Sequence, residues 1–554
     1  MQVSEIVVKI LEKEGITDAF GIPGAGINPV YKYLGLSTIN HYCVRHEEAA
    51  VHAADGYYRA SGRLGVALCT SGPGATNFVT GIYTANIDSI PLIAITGQGA
   101  TAQLGKDAFQ CVDIVKICEP IAKACFCVTD PGTIVDVMQN AFKLAKSGKP
   151  GPIVIDLPLD VQMAEVNFNI DEYQPLTFEN PRPDINDINK AIAMINEAKN
   201  PTIIMGGGVL LAEANELCVK FAEMLQMPVI TTYMAKGGIP VDHPLHAGHA
   251  GIQVGQPIGN KVFTESDLII GIGCRFTDRH TGNVNVYKAN KKFIHINVEP
   301  SEIGKIFQPD LGIVADAKYA LEALIEVAAT DGKQKDSARI DALPALRAEL
   351  KRKTDYDCVP IKPHRVYEEL NKFFKDNAMF TTGCGLNQIW SGQLQDVNKP
   401  RLYMPSGGSG TLGYDIPAAF GAKVASPEKY AVAVMGDFGF TFHAQELAVA
   451  AAAKLPVIVV IVNNGYLGLI RQNQKYAYGY EYAVEMDVNQ GVMDYIKVAE
   501  GFACAAERVF KPEDIKGALE RAAKSKIPYV IDIVCERTTD CSMGPAVDCV
   551  KEFI

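Results

Sequence analysis

The sequence predicts an α/β protein built from three doubly wound parallel-sheet domains. Three observations predict it: short strands that are hydrophobic throughout and alternate with helical stretches, two polar stretches that divide the chain, and a length of 554 residues, too great for one ordinary domain. The strand candidates fall at residues 66–69, 91–96, 152–156, 202–205, 268–271, 292–298, 431–435, 457–462 and 529–534. Apolar β-branched runs of this kind belong to strands covered on both faces, because an alternating pattern would leave one face to water. Residues 167–186 carry prolines among Asn, Asp and Glu, and residues 330–354 are dense in charge, so both read as linkers. The domains expected are therefore 1–166, 187–330 and 355–554.

Lys and Arg number 52 against 63 Asp and Glu, a net charge of −11, with no long basic run. That argues against a nucleic-acid or anionic-membrane surface. Residues 1–9 lack the basic, apolar and small-residue order of a signal peptide, and no apolar run approaches the roughly 20 residues of a membrane span. A soluble cytoplasmic enzyme is expected. The 14 cysteines are scattered and read as reduced thiols; Cys111, Cys118, Cys125 and Cys127 cluster without a paired metal-ligand spacing and are expected to pack as apolar residues. His243, His246 and His249 lie in a proline-containing loop with no companion carboxylate pattern, which argues against zinc there.

In the last domain one strand runs into Gly436-Asp437-Phe438-Gly439 and the next ends in Asn463-Asn464-Gly465-Tyr466. Loops at the carboxyl ends of adjacent parallel strands are where open α/β sheets bind ligands, and Asp437 and Asn464 offer hard oxygens that can share one Mg²⁺. Small residues around Asp437 let backbone N–H groups approach a diphosphate. Taken alone, the Gly-Asp pair is equally well read as a turn after a strand.

The order of these segments and their spacing, 464 − 437 = 27, resemble the signature of thiamine diphosphate enzymes, and the whole chain is similar to the acetolactate synthase and glyoxylate carboligase family. The resemblance implies the fold of thiamine diphosphate decarboxylases and carboligases, with an N-terminal pyrimidine-binding, a central FAD-binding-like and a C-terminal diphosphate-binding domain. It implies that Asp437, Asn464 and the Tyr466 carbonyl hold Mg²⁺, and that Gly436, Phe438 and Gly439, with Phe438 replacing the usual glycine, adjoin the diphosphate. The segment Ser406 to Pro417 resembles the one that supports the cofactor from below, placing Gly410 and Leu412 there, and Thr381 to Gln388 implicates Cys384, Gly385, Leu386 and Asn387. Arg45-His46-Glu47 resembles the segment whose acid bonds a pyrimidine nitrogen, which makes Glu47 the activating acid. Glu48 beside it reads as a solvated helix residue, and His46 as a structural hydrogen-bonding group. Thr70 to Asn77, Gly97-Gln98 and Lys106 to Gln110 complete the match, with Phe109 and Gln110 as substrate contacts.

In the middle domain Gly206, Gly207 and Gly208 follow a strand and open a helix, a pattern that tight packing alone also explains. Together with Gly273, Arg275, Asn297, Val298, Asp316 and Ala317, they resemble the family's FAD-binding domain; Arg275 would pair with the diphosphate, Asn297 and Asp316 with ribose and adenine. The implied activity is thiamine diphosphate- and Mg²⁺-dependent decarboxylation of a small 2-oxo acid followed by carboligation. Segments such as Gly465 to Gln472 and Ser542-Met543-Gly544 resemble the glyoxylate-using members most, as does Asn473 where biosynthetic acetolactate synthases carry Trp; the only Trp is Trp390. Glyoxylate carboligases, however, have Val at the place of Glu47, so action on pyruvate is the alternative. A nicotinamide-dependent oxidoreductase built on the middle Gly-rich turn leaves Asp437 and Asn464 unexplained. By the resemblance the acid and the metal ligands come from different subunits of a homodimer or homotetramer.

Overall fold

A computed structural model describes residues 1–489, 491 and 493–553, with the side chains of residues 488 and 489 left aside. Three six-stranded sheets follow one another along the chain, and every strand pair in them is parallel. The first contains β1 (Asp18–Gly21), β2 (Asn40–Cys43), β3 (Gly65–Cys69), β4 (Leu92–Gln98), β5 (Ala124–Cys127) and β6 (Pro152–Pro158) in the order β2-β1-β3-β4-β6-β5. The second contains β7 (Pro201–Met205), β8 (Val229–Thr231), β9 (His246–His249), β10 (Leu268–Ile272), β11 (Lys292–Asn297) and β12 (Leu311–Val314), ordered β12-β11-β10-β7-β8-β9. The third contains β13 (Ala378–Thr382), β14 (Tyr403–Pro405), β15 (Tyr430–Gly436), β16 (Val457–Asn463), β17 (Ala505–Val509) and β18 (Tyr529–Val534), ordered β14-β13-β15-β16-β18-β17.

In each sheet the winding direction reverses once: between β1 and β3, between β7 and β10, and between β13 and β15. The loops that leave the carboxyl ends of those strand pairs diverge and open a crevice, the place where doubly wound sheets take ligands. Two of the three crevices coincide with segments singled out from the sequence, 206–208 with 273–275 and 384–387 with 436–439. The nine predicted strands are present, each within two residues of its expected ends.

The first and third sheets share one hydrophobic core, which runs from Phe20 and Ala53 to Phe420 and Val460, whereas the middle sheet has its own. The joint rests on two helices, Glu47–Ser61 and Asp415–Ala425. A Cβ at Gly56 would stand 2.1 Å from the Ala418 carbonyl oxygen, and one at Gly421 would stand 1.9 Å from that of Ala53. Only glycine lets these backbones approach so closely. Residues 330–354 are more than a linker: they include the helices Ala338–Asp341 and Leu343–Glu349, with Ile340 and Leu343 buried. Arg339 fastens this strap to the middle unit by donating to the carbonyls of Pro201 at 3.2 Å and Val262 at 2.8 Å. Among the described residues no helix is long and apolar enough to cross a membrane.

Candidate active site

At the third crevice β15 and β16 run side by side to their ends, Gly436 opposite Val462, so the loops carrying Asp437 and Asn464 leave the sheet together. Asp437 opens the helix Asp437–His443; its Oδ1 accepts from the Phe438 N–H at 2.8 Å and its Oδ2 from the Gly465 N–H at 2.6 Å. Among the described residues no side-chain cation is a hydrogen-bond partner of Asp437, and burial pushes its carboxyl up to about 7. Asn464 is buried too, and its Oδ1 accepts from the Tyr466 N–H at 3.3 Å. The loop after β13 closes the third side. Asn387 donates to the Val434 carbonyl at 3.2 Å, and a Cβ at Gly468 would stand 2.6 Å from Leu386 Cδ1 and 2.7 Å from Asn464 Nδ2. Cys384 borders the same loop, where Gly410 has φ +62° and a Cβ on it would lie 3.6 Å from the Cys384 Sγ. Leu412 follows; its Cδ2 stands 3.9 Å from where a Cβ of Gly439 would be, an ordinary contact. Phe438 in place of glycine is accommodated by packing against Phe442, ring centroids 5.5 Å apart.

Asp415 ties this platform together by accepting from the Gly383 N–H. Sequence reasoning missed it, although it lies inside a quoted segment.

Glu47 is the first residue of its helix, and its Oε2 accepts from Asn77 Nδ2 at 2.8 Å. Gly74 leaves room beside it: a Cβ there would stand 3.3 Å from Glu47 Oε1. His46 caps the helix, its Nδ1 accepting from the Glu48 N–H at 3.2 Å, which is the structural part expected of it. Glu48 is not the solvated residue expected. It binds His52 Nε2 at 3.2 Å and lies 3.9 Å from His443 Nε2. Burial works to raise its carboxyl, but the hydrogen bond from His52 and the three neighbouring imidazoles hold it below the usual range. Glu446, unforeseen, grips the preceding turn by accepting from the Arg45 N–H with both oxygens, at 3.0 and 3.1 Å, while burial pushes it up to about 7. Gln110 lies against Gly72, where a Cβ would stand 2.8 Å from the Gln110 Cα, but Phe109 is 90% exposed. Among the described residues Glu47 shares no hydrogen bond with Asp437, Asn464 or Tyr466.

Family models of thiamine pyrophosphate enzymes match all three units: the N-terminal TPP binding domain at residues 1–117, the central domain at 188–324 and the C-terminal TPP binding domain at 383–533. The chain is 45% identical to a glyoxylate carboligase of Escherichia coli O157:H7, with 100% of this chain and 96% of that one covered. It is also 41% identical to an acetolactate synthase large subunit of Corynebacterium glutamicum, covering 96% and 86%, and 40% identical to a probable acetolactate synthase large subunit of Methanococcus aeolicus, covering 98% and 94%. The chain is a thiamine pyrophosphate enzyme. Its relatives place it among the carboligases.

In this thiamine pyrophosphate enzyme a cavity of about 460 Å³ opens at the middle crevice, lined by Gly207, Gly208, Arg275, Asn297, Val298 and Asp316 among others. The glycines are explained by packing, as their plainer reading had it: a Cβ at Gly206 would meet the Gly273 carbonyl oxygen at 2.2 Å, and one at Gly208 the Gly273 Cα at 2.8 Å. Asn297 and Asp316 are engaged within the chain. Asn297 donates to the Cys274 carbonyl at 3.1 Å, and Asp316 caps the helix Ala317–Asp331 through the Lys318 N–H at 2.8 Å while accepting from Asn180 at 2.7 Å. The first and third units wall the cavity with Arg59, Asp88, Gly407 and Gly408. Arg59 pairs with Asp55 at 2.6 Å and Asp88 at 3.0 Å, and Asp88 accepts from the Gly407 and Gly408 N–H groups at 3.0 and 2.8 Å. The histidines at 243, 246 and 249 bond to different partners, His243 to Glu223, His246 to the Val241 carbonyl and His249 to Thr231, while the ring centroids of His246 and His249 lie 5.9 Å apart. All 14 cysteines are free thiols.

Proposed function

We propose that this carboligase converts two glyoxylate molecules to tartronate semialdehyde and CO₂, with thiamine diphosphate, Mg²⁺ and FAD bound in a homodimer or homotetramer. The observation that carries the substrate is the 45% identity, over the full length of this chain, to a protein named glyoxylate carboligase. A carbon–carbon bond of one glyoxylate breaks to release CO₂, and the remaining carbon joins the aldehyde carbon of the second. Bound thiamine diphosphate supplies the carbon nucleophile for both steps.

The residues present fit these groups. Among the described residues the buried Asp437 carboxylate has only backbone donors, and Mg²⁺ held by Asp437, Asn464 and the Tyr466 carbonyl would supply its counter-charge. Leu412 gives the cofactor a bulky support, a contribution through positioning. Glu47, fixed by Asn77, holds a proton at Oε1, the oxygen beside Gly74 that Asn77 leaves free. Following the resemblance, the reading pairs Glu47 of one chain with Asp437 of another. Arg275 lines the middle cavity and among the described residues has no hydrogen bond or ion pair, which suits it to the FAD diphosphate, with the Gly207-Gly208 backbone alongside. Beside the contacts they already make, Asn297 keeps a second amide hydrogen and Asp316 keeps spare lone pairs.

Pyruvate is the second reading, and Glu47 favours it, since glyoxylate carboligases have Val at that place. The test is product analysis after supplying thiamine diphosphate, Mg²⁺, FAD and either glyoxylate or pyruvate. Faster formation of tartronate semialdehyde supports the proposal; faster formation of acetolactate transfers the assignment to the second reading.

A further inference from the structure

Beside Glu47 lies a group of side chains that the reaction does not use. One ligand atom each from His46, Glu48 and His443 lie within 4.8 Å of one another, the first two from the helix turn that carries Glu47 and the third from the helix that begins at Asp437. Among the described residues no other three His, Cys, Asp or Glu side chains come together in this way. The hydrogen bonds around the group fix its polarity. His443 Nδ1 lies 3.0 Å from the Gly413 carbonyl oxygen, which only accepts, so Nδ1 carries the hydrogen and Nε2 of the neutral ring presents a lone pair. That lone pair points toward a carboxylate, because Glu48 Oε2 is 3.9 Å away and the other oxygen is already bonded to His52. Two acceptors thus face each other in a partly buried place, an arrangement that a cation between them relieves.

We propose that His46, Glu48 and His443 bind a borderline divalent metal ion of the Zn²⁺ or Co²⁺ type. Imidazole and carboxylate donors suit such ions, with a fourth position left to water, whereas Asp437 and Asn464 offer only the hard oxygens suited to Mg²⁺. The supporting contacts are present: His52 orients the Glu48 carboxylate, and the Gly413 carbonyl orients His443. Gly413 makes the second contact possible, since it has φ +80° and a Cβ on it would stand 2.8 Å from His443 Nδ1. Ligand atoms about 2.1 Å from a tetrahedral ion stand roughly 3.4 Å apart, so the three close inward on binding. The ion then fastens the residues on either side of Glu47 to the helix of Asp437, and through Gly413 to the backbone next to Leu412.

The experiment is a titration of the holoenzyme, saturated with thiamine diphosphate and Mg²⁺, with Co²⁺. The expected result is the intense visible absorption of four-coordinate Co²⁺, saturating at a single equivalent per chain and removed by Zn²⁺. Glu48→Gln and His443→Gln should each weaken Co²⁺ binding at least about tenfold. Asp437→Ala, compared with wild type after both are freed of thiamine diphosphate, should leave that affinity unchanged. If His443→Gln fails to fold, the near-isosteric Glu48→Gln decides. Absence of the absorption overturns the proposal, as does equal affinity in wild type and Glu48→Gln, which would assign the metal to the exposed thiols of Cys43, Cys127, Cys358 and Cys549.

Discussion

Replacing Glu47 by Gln removes an acid and leaves almost everything else in place. The side chain keeps its length, and the amide oxygen can still accept from Asn77 Nδ2, now 2.8 Å from Oε2. Losing a negative charge from the first turn of the helix costs about 0.3 to 1 kcal/mol, so the fold survives. The catalytic cost is larger. General acid–base contributions are typically 10² to 10⁴-fold, or about 3 to 5 kcal/mol of barrier. Hydrogen–deuterium exchange at the thiazolium carbon of bound cofactor reads this step without substrate, by acid quench and proton NMR. We expect exchange to slow by at least about tenfold in Glu47→Gln, a cautious figure from the same range. Glu47→Val, which installs the residue that glyoxylate carboligases carry, should show the same loss. Exchange at the wild-type rate in both variants would mean that Glu47 is not the activating acid.

Asp437→Ala should abolish retention of thiamine diphosphate, because the carboxylate that joins the two loops, bonded to the Phe438 and Gly465 N–H groups, is lost; unchanged cofactor content after dialysis against chelator contradicts this. FAD should bind without being reduced at the rate of turnover, since the reaction moves no electrons overall, and Arg275→Ala should lower flavin content in the purified protein; substrate-driven flavin bleaching at the turnover rate, or full flavin content in the variant, counts against it. Asp156, hydrogen-bonded by Thr96 and Gln98, is pushed up to about 6 by burial. Its folded pKa lies above its unfolded one, so its contribution is fully present at pH below about 4 and is lost as pH rises through about 6, a penalty of up to about 3 kcal/mol for the ionised form. Asp156→Asn should therefore raise the melting temperature at pH 8 relative to wild type and not at pH 4, and an equal effect at both pH values would refute the assignment.

The sequence made the centre of each sheet legible and left the margins obscure, for a physical reason. Strands such as Val457–Asn463 are buried on both faces and read as unbroken apolar runs, whereas Asn40–Cys43 and Ala124–Cys127 are half exposed at their sheets and carry no such signal. Asp18–Gly21 is fully buried yet only four residues long, bounded by Asp and Gly, and Tyr403–Pro405 is shorter still. Asp437 and Asn464 were legible because each directly follows a recognisable strand. Glu446 was not, because its partner is the backbone of Arg45, 401 residues away, and no local pattern encodes that contact. The Arg59–Asp55 pair was open to discovery from its four-residue helical spacing, and only its third partner, Asp88, required the fold. Glu48 was misjudged for a related reason: neighbours on a helix face different ways, but here the second direction leads to His52 and His443 rather than to water.

The most direct test of the account is competition in one vessel. The purified enzyme, loaded with thiamine diphosphate, Mg²⁺ and FAD, is given equal concentrations of ¹³C-labelled glyoxylate and unlabelled pyruvate, and the products are identified by NMR and mass spectrometry. The account predicts labelled CO₂ and tartronate semialdehyde labelled throughout as the main products. Unlabelled CO₂ with acetolactate as the main product would contradict it.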